Sequence, residues 1–308
     1  MRRPWTLAIA ASLVIGSLAF GQSATKSAPA KAPPAKAAAD FNPRDISGVW
    51  YRVSAIQTFS NVDPRQPGMP AGRGNQVYQE APLTAAGKAA FDKNKPGYGP
   101  RASSPAFGND PMGTCDPLGI PRMVNAELAG AHAFWELVQN KDRVFQFMGF
   151  HHDWREIWTD GRQLPSSKDL EPAWDGYSVG HWDGNTFVVA TIGLDDRTWL
   201  DKFGYPHTDQ AKLQERYRRL DRDTLELKMT LTDPEYYSRP WDSDTKIFKS
   251  AEVCLTGKEK CLGDPVPEFP TGEPRIKNWD EQVYCVPSEE YKFNQRVRDP
   301  AGGKTPTK

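Results

Sequence analysis

Tyr177-Ser-Val-Gly-His-Trp182, Asp183-Gly-Asn185 and Thr186-Phe-Val-Val-Ala-Thr-Ile-Gly-Leu194 read as two strands around a tight turn. Gly184 readily takes the positive φ that short hairpin turns need, and β-branched and aromatic residues crowd both flanks. The pattern recurs downstream, where residues 213–220 and 224–232 enclose Asp221-Arg222-Asp223. In the second of these runs Leu225, Leu227, Met229 and Leu231 alternate with Glu226, Lys228, Thr230 and Thr232. A period of two places the four apolar side chains on one face of a strand and the polar ones on the other. Upstream, residues 135–139 and 143–150 flank Asn140-Lys141-Asp142, and residues 154–159 alternate before Asp160-Gly161. Residues 246–253 and 282–286 are predicted as later strands. Hairpins with one apolar face must stack as a sandwich or close as a barrel, and the meander-like spacing favours closure. The expectation is an all-β chain, an antiparallel β-barrel or sandwich with long Pro/Gly-rich loops, the longest over 96–121. One short helix is predicted over 84–92, capped by Thr84.

Composition agrees with many turns and few helices. The 308 residues include 27 Pro and 25 Gly, while 10 Trp, 10 Tyr and 14 Phe supply large pieces of core. Lys and Arg number 39 against 39 Asp and Glu, which excludes the strong basic excess of a dominant nucleic-acid footprint. Four segments are predicted. Residues 1–21 read as a signal peptide, with Met1-Arg2-Arg3 basic, an apolar stretch to Phe20, and Ala19 and Gly21 as the small residues before a cleavage. Residues 22–40 are almost wholly Ala, Pro, Lys, Ser and Thr, too polar to bury a core, and are read as a disordered linker carrying Lys26, Lys31 and Lys36. Residues 41–298 form the single β-rich domain, and 299–308 a flexible tail. No segment after the leader approaches the ~18 apolar residues of a membrane span. Export to the periplasm or the medium is therefore expected.

The cysteines fit an oxidising compartment. Their even count suggests disulfides, for which three connectivities exist. Cys254 and Cys261 close easily around a turn, which leaves Cys115 with Cys285. A zinc site would want C-x₂-C pairs or clustered His, and neither is present. No metal and no cofactor are expected.

Longer motifs carry a resemblance. They are Cys115-Asp-Pro-Leu-Gly-Ile-Pro-Arg122, Gly176-Tyr-Ser-Val-Gly180, Trp182-Asp-Gly-Asn-Thr186, Asp196-Arg-Thr-Trp-Leu-Asp201, Gly204, Pro206-His207, Glu215-Arg-Tyr-Arg-Arg219, Asp233-Pro234 and Pro240-Trp241. Over roughly residues 83–294 the chain resembles a family of uncharacterised exported bacterial proteins, with residues 251–274 as a local insertion. That resemblance implies export and one β-rich domain, and carries no activity with it. Gly48-Val49-Trp50 is also similar to the G-x-W that opens lipocalin-like barrels.

Several constellations could carry chemistry. Gly176-Tyr177-Ser178-Val179-Gly180 matches G-x-S-x-G, but a nucleophile elbow needs a strand, a sharp turn and a helix, whereas a hairpin follows here. His151-His152-Asp153 holds adjacent histidines, which on a strand point to opposite sides and cannot readily chelate one ion. The stretch from Asp195 to Arg216 is denser in function-bearing groups. It is a loop between strong strands, where sites tend to sit. Asp196, Arg197, Trp199, Asp201, His207 and Arg216, joined by Arg155 if its strand faces the same side, are candidate ligand contacts. Arg216 would clamp an anion and Trp199 would form an apolar platform. The leading expectation is an exported protein that binds a small polar or anionic molecule at the barrel mouth. A hydrolase or isomerase using His207 with Glu215 or Asp196 is the first alternative. A structural accessory of a secreted assembly is the second.

Overall fold

The computed structural model describes residues 41–53, 59–60, 81–97, 101–125, 134–149, 153–255, 285–298 and 300. The hairpin around Gly184 forms as expected. β5 (Tyr177–Asp183) pairs antiparallel with β6 (Thr186–Ile192), and Asp183 faces Thr186 across a two-residue turn in which Gly184 has φ 59°. β7 (Lys212–Asp221) follows against β6, and β8 (Thr224–Thr232) against β7, with a register shift between Arg219 and Asp221. Leu225, Leu227, Met229 and Leu231 are buried, as the alternation requires.

Closure comes from elements distant in sequence. β1 (Gly48–Arg52), β2 (Phe134–Gln139), β3 (Arg143–Met148) and β4 (Trp154–Trp158) form an antiparallel meander. β9 (Trp241–Asp242) pairs with β8, and β10 (Lys246–Ser250) pairs with both β8 and β1. Nine strands, β1 to β8 with β10, thus make a closed barrel, and the sandwich alternative falls away.

The barrel is mixed, which corrects the all-antiparallel expectation: β4 and β5 run parallel, registered at Ile157 with Ser178 and Trp158 with Val179. Residues 159–176, with the 3-10 turn Ser167–Asp169, lead from the end of β4 back to its starting end. Parallel neighbours need such a crossover. One consequence is that the long connections β1–β2, β6–β7 and β8–β10 all leave the same end, the crown. Two- or three-residue turns dominate the other end.

Inward positions carry bulk. Trp135 meets Phe248 at 4.6 Å and Tyr217 edge-on at 6.0 Å. Trp50, fully buried, donates its indole N–H to the Ile46 carbonyl at 3.0 Å. Burying a Phe-sized side chain contributes about 1.5–3 kcal/mol, and barrels of this strand number are filled by side chains. Amid this core sits a buried ion pair. Arg155 donates Nη1 and Nη2 to the two carboxylate oxygens of Glu215 at 2.9 and 2.7 Å, and its Nε to Gln146 at 2.9 Å.

The expected helix is present as α1 (Ala85–Lys93), with Thr84 Oγ1 accepting from the Gly87 N–H at 3.0 Å. Gly87 is required by packing: a Cβ there would sit 2.1 Å from the Tyr236 carbonyl oxygen. Two further helices correct the strand expectations. The strand predicted over 246–253 stops at Ser250, whose N–H and hydroxyl turn to Asp223, and α2 (Ala251–Leu255) begins there. In the strand predicted over 282–286, residues 282–284 lie outside the described residues. Val286 is instead the N-cap of α3 (Pro287–Phe293), with Pro287 at the first position, where its missing N–H is harmless. A π-helical turn, Asn294–Arg298, continues α3. Between 96 and 121 only the 3-10 turns Pro105–Phe107 and Pro111–Thr114 are regular among the described residues.

Cys115 and Cys285 are disulfide-bonded. Cys254 is disulfide-bonded as well, while Cys261, its expected partner, lies outside the described residues. Among the described residues no helix is long and apolar enough to cross a membrane.

Candidate functional site

A cleft of about 760 Å³ opens at the crown. Its walls are the end of α1, the segment around the 3-10 turn 111–114, the loop 193–211, Tyr236, and α3 with its π turn.

Each wall is held by identifiable contacts. Phe91 of α1 stacks on Tyr205 at 4.5 Å, and Tyr205 meets Trp241 of β9 edge-on at 4.8 Å. Arg101 lies over the Phe91 ring and donates Nη2 to the carbonyls of Phe91 and Asn94, both at 2.7 Å, closing the end of α1. Asn94 Nδ2 donates to the Gly204 carbonyl at 2.8 Å. In the second wall Asp110 caps the 3-10 turn through the Met112 N–H and takes both guanidinium arms of the buried Arg122 at 2.8 Å. The Cys115–Cys285 bridge joins this wall to the start of α3, and Asn294 Nδ2 reaches the Gly113 carbonyl at 3.4 Å.

The loop 193–211 is locked from within. Asp195 accepts from the backbone N–H, Nε and Nη2 of Arg197, and these bonds hold its carboxyl below the usual carboxylate range. Asp201 turns inward and accepts from the N–H groups of Phe59 and Phe203 at 2.8 and 2.9 Å; burial pushes its carboxyl up to about 6. His207, 1% exposed, has both ring nitrogens engaged. Its Nδ1–H donates to the Thr208 carbonyl at 3.0 Å, and Nε2 pairs with Thr198 Oγ1 at 2.7 Å. Burial lowers its pKa below 6.5 despite the opposing charges of Asp233, Asp196 and Asp195.

Of the residues singled out in the sequence, Asp196, Arg197, Trp199 and His207 line the cleft. Trp199 is only 5% exposed, too little to serve as the expected apolar platform. The others lie elsewhere. Arg155 and Glu215 are paired inside the barrel, and the second hydrogen bond to Glu215 Oε1 comes from the Tyr217 hydroxyl at 2.8 Å. His207 and Glu215 are therefore not hydrogen-bond partners. Asp201 is fully buried beneath the loop. Arg216 points outward from β7 and bonds Asp183 at 3.1 Å on the barrel wall. Ser178 is buried in β5 against Thr191 at 2.9 Å, which is no nucleophile elbow. His151 and His152 lie outside the described residues.

Sequence reasoning missed Lys93, Asn94, Asp116, Tyr236, Tyr291 and Asn294, all of which line the cleft. The cysteine pairing was the one available signal, because it brings the neighbourhood of residue 115 to that of residue 285. No family model, curated protein or solved structure matches this chain.

Proposed function

We propose that the protein is an exported, lipocalin-like binding protein that takes up a small polar molecule in the crown cleft. The observation that carries the reading is the cleft itself. Five separate segments converge on one opening of about 760 Å³, within the range typical of small-molecule sites. Its lining includes polar side chains with no partner of their own: those of Lys93 and Asp196 make no hydrogen bond or ion pair among the described residues. The barrel interior is the weaker candidate, since its described inward positions hold tryptophans, tyrosines and a closed ion pair. Export rests on the leader-like residues 1–21 and agrees with the disulfide-bonded cysteines. The resemblance to exported bacterial proteins points the same way.

Native mass spectrometry of protein purified from its source organism tests this reading. The expected result is a small polar adduct that disappears on Tyr291→Ala, whose ring is 59% exposed and can be removed without opening the core. An adduct retained at full occupancy in that variant would place the ligand elsewhere.

A further inference from the structure

We infer that the outer wall of β3 and β4 is a second binding surface, on which an uncharged polysaccharide chain lies across a cluster of aromatic rings. It is separate from the crown cleft and does not depend on it.

The solvent face of an antiparallel strand is expected to be polar. β7 and β8 obey: Gln214, Arg216 and Arg218 on the one, and Glu226, Lys228 and Thr230 on the other, alternate outward from the buried positions. β3 and β4 do not. With Val144, Gln146, Met148, Arg155 and Ile157 turned inward, their outward positions are Arg143, Phe145, Phe147, Trp154, Glu156 and Trp158. Phe147 faces Trp154 in register, and Phe145 faces Glu156. The Phe145, Phe147 and Trp154 rings form a triangle with centroids 6.0, 6.1 and 6.4 Å apart. Trp154 keeps 50% of its surface in water. Apolar surface gathered in one exposed place marks contact with another molecule.

The charges around the rings are close to balance and mostly spent on one another. Lys141, Arg143 and Arg162 stand against Glu136, Asp142, Glu156 and Asp160. Arg143 donates to Glu156 at 2.9 Å and to Asp142 at 3.4 Å. Arg162 donates Nε and Nη2 to Asp160, and Nη1 to the Tyr177 hydroxyl at 3.1 Å. Both guanidiniums lie over the Trp158 ring, at 4.3 and 3.7 Å. A polyanion therefore finds no basic excess here, and an anionic bilayer would want basic residues beside the apolar ones.

Size and connectivity narrow the occupant further. The wall runs roughly 14 Å from Trp154 to Trp158 and roughly 14 Å across β2 to β5, about 200 Å² in all. A standard protein interface takes about 800 Å² from each partner, so a second copy or another globular protein is too large a match. A peptide strand has no edge to join, because β3 and β4 are each paired on both sides. A polysaccharide needs neither area nor edge. Its sugar rings present C–H faces, which pack on aromatic faces, and hydroxyl edges, which need donors and acceptors together. The Arg143–Glu156 pair supplies both beside the rings: Arg143 Nη2 and Glu156 Oε2 make no hydrogen bond among the described residues. Arg143 also lies 5.7 Å from the Phe145 ring, which places the polar pair against the aromatic triangle.

Electrophoresis of the full chain through native gels tests the inference. The gels contain arabinoxylan, mixed-linkage glucan, galactomannan or dextran, with polygalacturonate as the anionic control. At least one neutral polymer is expected to retard the protein, and polygalacturonate is not. About 0.3 M salt should leave the retardation unchanged, since no net charge is engaged. Trp154→Ala should weaken it about two- to tenfold, the worth of one aromatic contact, and Trp154→Tyr should recover most of the loss. Thermal unfolding of both variants checks that the barrel is intact. Tyr291→Ala should have no effect, because that ring belongs to the crown cleft. Retardation by none of the neutral polymers, retardation by polygalacturonate alone, or retardation that survives Trp154→Ala would overturn the inference. A dimer in light scattering that Trp154→Ala dissolves would overturn it too, by giving the wall to a second copy.

Discussion

Glu215→Gln should be the most destabilising conservative change in the barrel. The side chain is 0% exposed and its partner Arg155 2%. Both carboxylate oxygens accept from the guanidinium, at 2.7 and 2.9 Å, and one also accepts from the Tyr217 hydroxyl at 2.8 Å. Glutamine keeps the shape but replaces one acceptor with an NH₂ aimed at guanidinium donors. Arg155 stays charged, because Glu215 raises its already high pKa against the desolvation that would lower it. The bond lost outright and the charge assistance lost from the one that remains are each bounded by about 1.5–3 kcal/mol, which brackets the loss at about 1.5–6 kcal/mol. Removing one partner of a buried pair costs about 3–5 kcal/mol, so the two routes agree near 4. For a chain of this size that corresponds to a fall of roughly 10 °C in Tm. Urea unfolding at neutral pH measures it. The double variant Arg155→Met, Glu215→Leu should recover most of the loss, since the penalty belongs to the orphaned charge. A loss below about 1 kcal/mol for Glu215→Gln, or a double variant no better than the single one, would refute the structural role of the pair and return these residues to the list of site candidates.

Two further outcomes follow from the crown. Gly87→Ala would gain about 1 kcal/mol in an unencumbered helix. Here its Cβ would meet the Tyr236 carbonyl at 2.1 Å, so a loss of about 1–3 kcal/mol is expected in thermal unfolding, and a stabilised variant would contradict the packing. His207 is neutral and buried with its pKa lowered, so below pH 6.5 the unfolded chain binds the proton that the folded one excludes. Stability is thus whole above pH 6.5 and falls as pH drops, by up to about 1.4 kcal/mol per unit until the folded pKa is reached. His207→Gln should flatten that slope in urea titrations between pH 5 and 7, and an unchanged slope would mean another group carries it.

The hairpins were legible because they are local. Residues 224–232 alternate without interruption, and Gly184 marks its turn, so β5 to β8 needed no tertiary information. Closure did not have that advantage. It depends on β10 meeting both β1 and β8, and Trp50 facing Ser250 joins residues 200 positions apart, which no local pattern encodes. The parallel step between β4 and β5 was hidden for another reason. Residues 159–176 have no periodicity of their own, and a crossover without a helix looks like any loop.

The site was half legible, and the missing half has a definite cause. Glu215 and Arg216 were grouped because they are adjacent to each other and close to the charged loop. Adjacency on a strand means the reverse, since neighbours face opposite sides. Leu213, Glu215 and Tyr217 form the buried set and Gln214, Arg216 and Arg218 the outer one, as the burial of β7 shows. The period of two that sorts residues 224–232 also sorts residues 212–221, and it separates a core carboxylate from a surface guanidinium by position alone. A carboxylate on the apolar face of such a strand needs a buried cation, and Arg155, alternating with Ile157 toward the interior, is the partner the barrel provides. Once this pair, the buried Asp201 and the outward Arg216 are set aside, the candidates that remain, Asp196, Arg197, Trp199 and His207, are the ones that reach the cleft. Their counterparts across it come from residues 90–116 and 291–294, and the Cys115–Cys285 bridge is the covalent link between those two walls.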